Sequence, residues 1–302
     1  MKRSINKKAI LMSAGALLCC ALWGISTPIV KMGYAHTDAS HVPSLLLWAG
    51  IQFVLAGLLT VGSYSIVSGK LVYPKKKSVK GVLLISLFQT VLQYSLLYVG
   101  LMYTTSVKGA ILKSTDVFFV ALIASLIFRI ESLTFKKVIS CIIGFLGIII
   151  MNLDGLSLNI SPLGDGLVVL SVVSYSFSVI MTKLFTQDED PIVLSGYQMA
   201  LGGTVMLVLG VVFNGKIDFL GMLPIIGILS ALYAVSYSLW TVLLKSNPAS
   251  SVTIHSFTTP VFGVIFSAFL LEEQGGVALL NLILALVLVC AGILLWGLGD
   301  KK

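Results

Sequence analysis

Two titratable side chains stand inside one long apolar run, Lys113 and Asp116 in the stretch SVKGAILKSTDVFFVALIASLIFRIE from Ser106 to Glu131. Three positions apart, they would share one face of a helix. An isolated charge at the centre of a bilayer costs about 2.5–3.5 kcal/mol on insertion scales, so such groups turn to a partner or to a watery cavity and often mark a transport route. The spacing therefore predicts an ion pair, or two charges that meet a solute. A second stretch, SSVTIHSFTTPVFGVIFSAFLLEE from Ser250 to Glu273, has the same shape. Laying Glu131 on Glu273, an offset of 142, sets Lys113 on His255. If a proton is moved, Asp116 and His255 are the candidates, and a pairing with Lys113 would make Asp116 a poor carrier. Glu131 and Glu273, at the ends of their runs, read as structural.

Further polar groups recur in steps of three and four, which places each set on one helix face. One set is Gln89, Gln93, Tyr94 and Tyr98; a second is Ser171, Ser174, Tyr175, Ser178 and Thr182; a third is Tyr233, Ser236, Tyr237 and Trp240. Small hydroxyls in such stripes serve as hydrogen-bonding glue between helices. Gln89, Gln93, Tyr237 and Trp240 are bulkier amphipathic groups and suit the wall of a wet pocket. Enzyme chemistry finds no constellation. His36 and His41 are isolated, there is no His-Glu-x-x-His, no Gly-x-Ser-x-Gly and no phosphate-cradling loop, and Gly164-Asp165-Gly166 lacks the Gly-x-Gly-Asp of an intramembrane aspartyl protease. Cys19, Cys20, Cys141 and Cys290 have no Cys-x-x-Cys spacing, so neither a disulfide nor a metal site is expected, and no cofactor.

The elements that must carry these groups follow from composition. Of 302 residues 57% are hydrophobic and 11% charged, with a mean hydropathy of +1.04. A soluble domain carries about 25% charged residues, so the chain is expected to be an all-α integral membrane protein. Hydropathy predicts ten spans, at 9–32, 44–67, 79–102, 107–128, 135–153, 162–184, 191–213, 219–244, 249–271 and 276–297. Breaks lie at Tyr73-Pro74, Ser161-Pro162, Asn247-Pro248 and Gly275-Gly276, and the tightest turn lies between Tyr103 and Ser106. The first run is too long for a cleaved signal peptide. With the N-terminus inside, only Lys31, Lys108 and Lys216 of the 20 basic residues fall in outer segments and Lys113 lies within a span. That asymmetry is the positive-inside pattern, and the net charge of +8 is a topology signal rather than a nucleic-acid surface. The second, fifth, seventh and tenth spans carry few polar groups and read as lipid-facing scaffold.

The order of motifs resembles a known family. ALWGISTPIVK, from Ala21 to Lys31, is similar to the Trp-Gly-then-Lys opening of EamA-type members of the drug/metabolite transporter superfamily. YVGLMYTTSVKGAILKSTD, IESLTFKK and GFLGIII, between Tyr98 and Ile150, resemble the close of that family's repeat. The second half repeats the order: Tyr175 and Lys183 stand eight apart like Trp23 and Lys31, Pro260 and Glu273 mark the ninth span, and Gly292 answers Gly147. The resemblance implies a carrier of ten helices in two inverted five-helix repeats, residues 1–155 and 156–302, because five is odd and the second copy enters with the opposite orientation. It also implies a cavity lined by the first, third, fourth, sixth, eighth and ninth spans, which adds Trp23 and Tyr175 to the candidate residues. The chain departs from the family in lacking a proline near Val117 or Phe118, and Lys113 and Asp116 are not part of the general motif, so they are expected to carry specificity.

The expected protein is a secondary transporter in the cell (plasma) membrane with both termini cytoplasmic, exporting amino acids, related metabolites or drugs by alternating access. Its candidate cavity is Trp23, Gln89, Gln93, Lys113, Asp116, Tyr175, Tyr237, Trp240 and His255. Its partners are a small-molecule substrate, the bilayer and either a proton or an exchanged solute, with no nucleic acid, in a monomer or homodimer. The competing readings are uptake on the same fold, an integral membrane enzyme, and a non-transporting sensor.

Overall fold

The computed structural model describes residues 2–153, 156, 159–271 and 278–299, and the side chains of 7–297 within them. Its ten long helical elements are α1 Lys2–Gly33, α2 Val42–Ser68, α3 Lys76–Tyr103, α4 Ser106–Ile127 and α5 Phe135–Met151, followed by α6 Pro162–Phe185, α7 Pro191–Val212, α8 Phe219–Ser246, α9 Ala249–Leu270 and α10 Leu279–Gly299. These match the ten predicted spans, and among the described residues nine are long and apolar enough to cross a bilayer. The remaining one, α5, has 17 residues, about 25 Å at the helical rise, and is capped by Thr134, which accepts from Lys137 N. Other starts have the expected caps: Ser161 before Pro162, Asp190 before Pro191, Asp218 before Phe219, and Thr105 at the tight turn before α4. The Gly275-Gly276 break, Glu273 and the C-terminal lysines Lys301 and Lys302 lie outside the described residues.

Among these elements α2 packs most extensively on α7, and α5 on α10. Lipid offers no hydrophobic drive for such pairs, so close backbone approach has to hold them. A Cβ on Gly203 of α7 would stand 2.6 Å from the backbone nitrogen of Val54, and one on Gly292 of α10 would stand 2.8 Å from the carbonyl of Ser140. The outer faces of these helices carry exposed Leu58, Leu59, Val208, Val211, Leu280 and Leu294, as a hydrocarbon surround requires. The four polar-poor helices thus form two scaffold pairs. Around them α1 packs on α8 and α9, and α6 on α3 and α4. Exchanging α1–α5 with α6–α10 in order leaves the α2–α7 and α5–α10 packings as they are and converts α1 on α8 and α9 into α6 on α3 and α4, which is the signature of a twofold repeat.

Three polar-rich helices are irregular. In α3 a π-helical segment, Ser86–Leu92, separates two α-helical parts. α4 stops at Lys113, turns through Ser114 and Thr115, and resumes at Asp116. α9 runs as Ala249–Thr253, a 3-10 turn Ile254–Phe257, and Thr258–Leu270. The breaks in α4 and α9 coincide at the offset of 142. Without the family's proline, α4 breaks through hydroxyl competition for its carbonyls: Ser114 Oγ donates to Ala110 O at 2.9 Å and Thr115 Oγ1 to Leu112 O at 2.5 Å.

Candidate functional site: a cleft closed at one end

The break in α4 decides where its two charges go. Asp116 is buried, and Ser256 Oγ, in the break of α9, donates to its two oxygens at 3.1 Å each, while Val117 N donates at 2.8 Å. The interrupted helices therefore meet through Asp116 and Ser256. Lys113 is exposed, and no ion pair joins it to Asp116 among the described residues. The predicted pair is thus corrected, because the turn at Ser114 and Thr115 takes the two side chains off the common face that an unbroken helix would give them. Lys113 stays within electrostatic range of Asp116, the residue through which α4 meets α9. An exposed side chain beside that buried meeting point marks an opening between the helices, a cleft.

Aromatic rings of α1, α2, α3 and α8 pack on one another. Trp23 of α1 meets Tyr237 and Trp240 of α8 at ring-centroid distances of 5.5 and 4.9 Å. The hydroxyls of Tyr94 and Tyr237 are 2.9 Å apart, and Tyr94 packs edge-on against Phe53 and Tyr98. Tyr175 of α6 is buried in the same region, within electrostatic range of Asp116, Cys20 and Tyr94. Gln89 and Gln93 are buried on α3, and Gln93 Oε1 has no partner among the described residues. Trp23, Tyr175, Tyr237 and Trp240 are therefore brought together, with Tyr94 added to them. His255 is not. It is 2% exposed, with Nδ1 3.2 Å from the Val252 carbonyl of its own helix. Lys113 and His255 occupy matched breaks but unlike surroundings: Lys113 is exposed, whereas His255 is buried between Ile254 and Phe257, which pack with α4, α5 and α10, and the bundle closes nearer the start of α9.

That closed end is a single apolar cluster of Ala16, Cys19 and Cys20 of α1, Val120, Ile123 and Ala124 of α4, Tyr175, Val179 and Ile180 of α6, Trp240, Leu243 and Leu244 of α8, and Ala249 and Val252 of α9. Towards the other ends of the helices the packing divides. One cluster there joins α1, α2, α7 and α8, another joins α4, α5, α9 and α10, and Thr27 and Lys113 are left accessible.

Polar contacts between connections follow the same division when each is numbered by the helix it follows. At the closed end Lys75 Nζ donates to Asp188 O at 2.6 Å, Lys77 pairs with Asp188 at 2.9 Å and Lys75 N donates to Glu189 Oε2 at 2.7 Å, joining connections two and six. The hydrogen bond from Lys77 holds the Asp188 carboxyl below the ordinary carboxylate range. Lys183 Nζ donates to Lys245 O and Lys245 Nζ to Glu189 O, both at 3.2 Å, which ties in connection eight. Glu131, in connection four, accepts from Ala249 N at 2.5 Å and from the backbone and hydroxyl of Ser250, capping the start of α9. A cavity of about 250 Å³ lies here among Glu131, Lys183, Asn247 and Pro248. At the open end there are two separate groups. His36 and Asp218 meet at 3.1 Å and Thr37 bridges to Ile217, joining connections one and seven. Lys108 pairs with Asp165 at 2.5 Å and donates to Asn159 O, joining three and five. Among the described residues no bond joins the first of these groups to the second.

Reading residues by type missed Ser256, which looked unremarkable, and read Glu131 as structural without its partner at the start of α9. Their signal was positional. Glu131 anchors the doubled alignment, and Ser256 falls on Ser114 at the same offset. Ser86, Thr90 and Gln198, which tie α3 to α7 by bonds of 3.0 Å, had no sequence signal.

The EamA-like transporter family model matches residues 10–153 and 162–298, one match for each half. An uncharacterized transporter of Bacillus subtilis, YvbV, is 27% identical over 89% of this chain and 87% of its own. An uncharacterized transporter of Methanothermobacter thermautotrophicus is 27% identical over 63% of this chain, and that match spans 57% of the relative. A crystal structure of another chain superposes with a TM-score of 0.77 over 98% of both chains at 14% identity, which establishes the shared fold. With two matches that cover nearly the whole sequence, the chain belongs to the EamA-like transporter family and is a multi-pass membrane protein of ten helices in two inverted repeats.

Proposed function

We propose that the protein is a secondary transporter that exports small organic metabolites, amino acids or related compounds, or drugs, across the cell (plasma) membrane by alternating access. Residues 1–155 and 156–302 are the two moving repeats, and both termini are cytoplasmic. The observation that carries this reading is the asymmetry of the cleft: one apolar plug joins α1, α4, α6, α8 and α9 towards the even-numbered connections, whereas towards the odd-numbered ones the packing divides into two clusters. In an inverted repeat, exchanging the conformations of the halves yields the state open to the other side. The concentration of Lys and Arg at the even-numbered connections supports placing the closed end in the cytoplasm. A proton or a counter-solute drives the cycle, and Asp116, at the meeting point of the broken helices, is the group placed to couple it.

The test is counterflow in liposomes holding the purified full chain. Vesicles preloaded with unlabelled solute from a metabolite panel should accumulate labelled solute transiently, and an imposed pH gradient should drive net flux only if a proton is coupled. Absence of counterflow for the whole panel would overturn the carrier reading.

A further inference from the structure

The two broken helices end differently. α4 finishes in a π-helical turn, Ile123–Ile127, with Phe128 N donating to Ile123 O at 3.0 Å, and the chain then reverses through Arg129 at φ +54°. That left-handed residue lets Ile130 N donate to Ala124 O at 2.9 Å, and the Glu131 carboxylate arrives on the first amides of α9. At the offset of 142 Arg129 falls on Leu271. There α9 stays α-helical to Leu270, Leu271 N donates to Ser267 O at 3.0 Å, and φ is −108°. The left-handed region is costly for a residue with a Cβ and open to glycine. Arg129 is exposed, and its side chain has no hydrogen bond or ion pair among the described residues to offset that cost. What the turn gains is the contact of Glu131 with α9, at the closed end of the bundle.

We infer that Arg129 and Leu271 are paired hinge positions of the transport cycle, each at positive φ when its own end of the bundle is closed and at negative φ when that end is open. Here the closed end, where α4 finishes, holds the left-handed member, and the open end, where α9 finishes, holds the relaxed one. The state open to the other side exchanges the conformations of the two repeats, so Arg129 relaxes as the Glu131 contact parts and Leu271 takes up the left-handed turn. A like cost in each closed state keeps the two states near balance, and glycine at one position favours closure at that end alone. This rests on the alternating-access reading and names two positions that set its equilibrium.

The experiment reads closure at the Arg129 end through Cys19 and Cys20, which lie in the apolar plug at 0% exposure. In the detergent-purified full chain with Cys141 and Cys290 replaced by alanine, the rate at which a maleimide alkylates these thiols follows the fraction of molecules open at that end. Arg129→Gln and Leu271→Ala are the references, since they remove the charge and the leucine packing and keep a Cβ. Against its reference, Arg129→Gly should slow alkylation by about 5- to 30-fold and Leu271→Gly should speed it by the same factor, the ratio to which the cost of one left-handed residue converts. The double glycine variant should return to the rate of the double reference. Arg129→Asn, which keeps a Cβ and tolerates the left-handed region, should also be slower than Arg129→Gln. Equal rates within each pair, a shift of the same sign at both positions, or an Asn variant no slower than Gln would overturn the inference. Equal rates beside intact counterflow would leave the carrier reading standing, whereas absence of counterflow in the unsubstituted chain would overturn that reading instead.

Discussion

The carboxylate of Asp116 is occupied by groups from its own helix and from α9, whereas the ammonium of Lys113 is not engaged by protein. The two charges should therefore respond differently to substitution. Ser256→Ala removes a donor from a buried carboxylate and should lower stability by about 1–3 kcal/mol. Replacing Asp116 by Val in the same variant removes the group left in need and should recover most of that loss. Lys113→Ala, at an exposed site, should change stability by no more than about 0.5 kcal/mol. Thermal unfolding in detergent measures all three. A mutual ion pair would instead make Lys113→Ala and Asp116→Ala equally costly singly and milder together, and that pattern would refute the arrangement described.

At the scale of elements, the closed end depends on how α9 starts. Its first amides point at Glu131, across from the end of α4, so one carboxylate caps a helix of the opposite repeat. Loss of such a cap costs about 0.5–2 kcal/mol, which would shift the closed-to-open ratio by roughly 2- to 30-fold. Cys19 and Cys20 report the shift because they lie in the plug at 0% exposure. With Cys141 and Cys290 replaced by alanine, Glu131→Ala should raise the alkylation rate of these thiols by that factor, and an unchanged rate would show that Glu131 does not latch the plug. The Lys77–Asp188 pair contributes differently. Because the Asp188 carboxyl is held below its ordinary value, its contribution is complete above about pH 4 and is lost only as pH falls through the lowered value. Both side chains are largely exposed, so Lys77→Ala should leave the alkylation rate nearly unchanged. From pH 5 to 8 this pair gives no reason for the rate to vary.

For the whole molecule, the numbering of the connections is itself informative. Counting the helix ends that flank each connection, the ties run from one to seven, two to six, three to five, six to eight and four to the start of α9, so each joins ends of like parity. Ten consecutive crossings place like parities on the same side, so the ties support the span count independently of hydropathy. Which side is which follows from the basic residues. In a chain whose four cysteines are replaced by alanine, Ala39→Cys should react with an impermeant maleimide added outside intact cells, and Lys76→Cys and Gln187→Cys should react only after permeabilisation. The reverse pattern would overturn the cytoplasmic assignment of the termini. Gly155, a natural further position for such a label, lies outside the described residues.

The sequence by itself determined the helical class, the ten spans, their parity and the doubling of the chain, because burial in lipid forces every backbone group into a helix and leaves hydropathy and lysine position as direct readouts. Tyr237 and Trp240 were legible as amphipathic rings on one helix face, and Trp23 and Tyr175 through the family resemblance; the structure buries all four in one region. The pairing of Lys113 with Asp116 was misjudged because helical spacing holds only in an unbroken helix, and hydroxyls at Ser114 and Thr115 break this one without a proline to announce it. Only the tertiary structure decided that Asp116 belongs to Ser256, that Glu131 caps α9, and that Lys113 and His255, equivalent by repeat, lie in an open and a closed environment respectively. Those relations join residues 118 to 142 positions apart and depend on which end of the bundle is packed, a property of conformation that spacing along the chain does not encode.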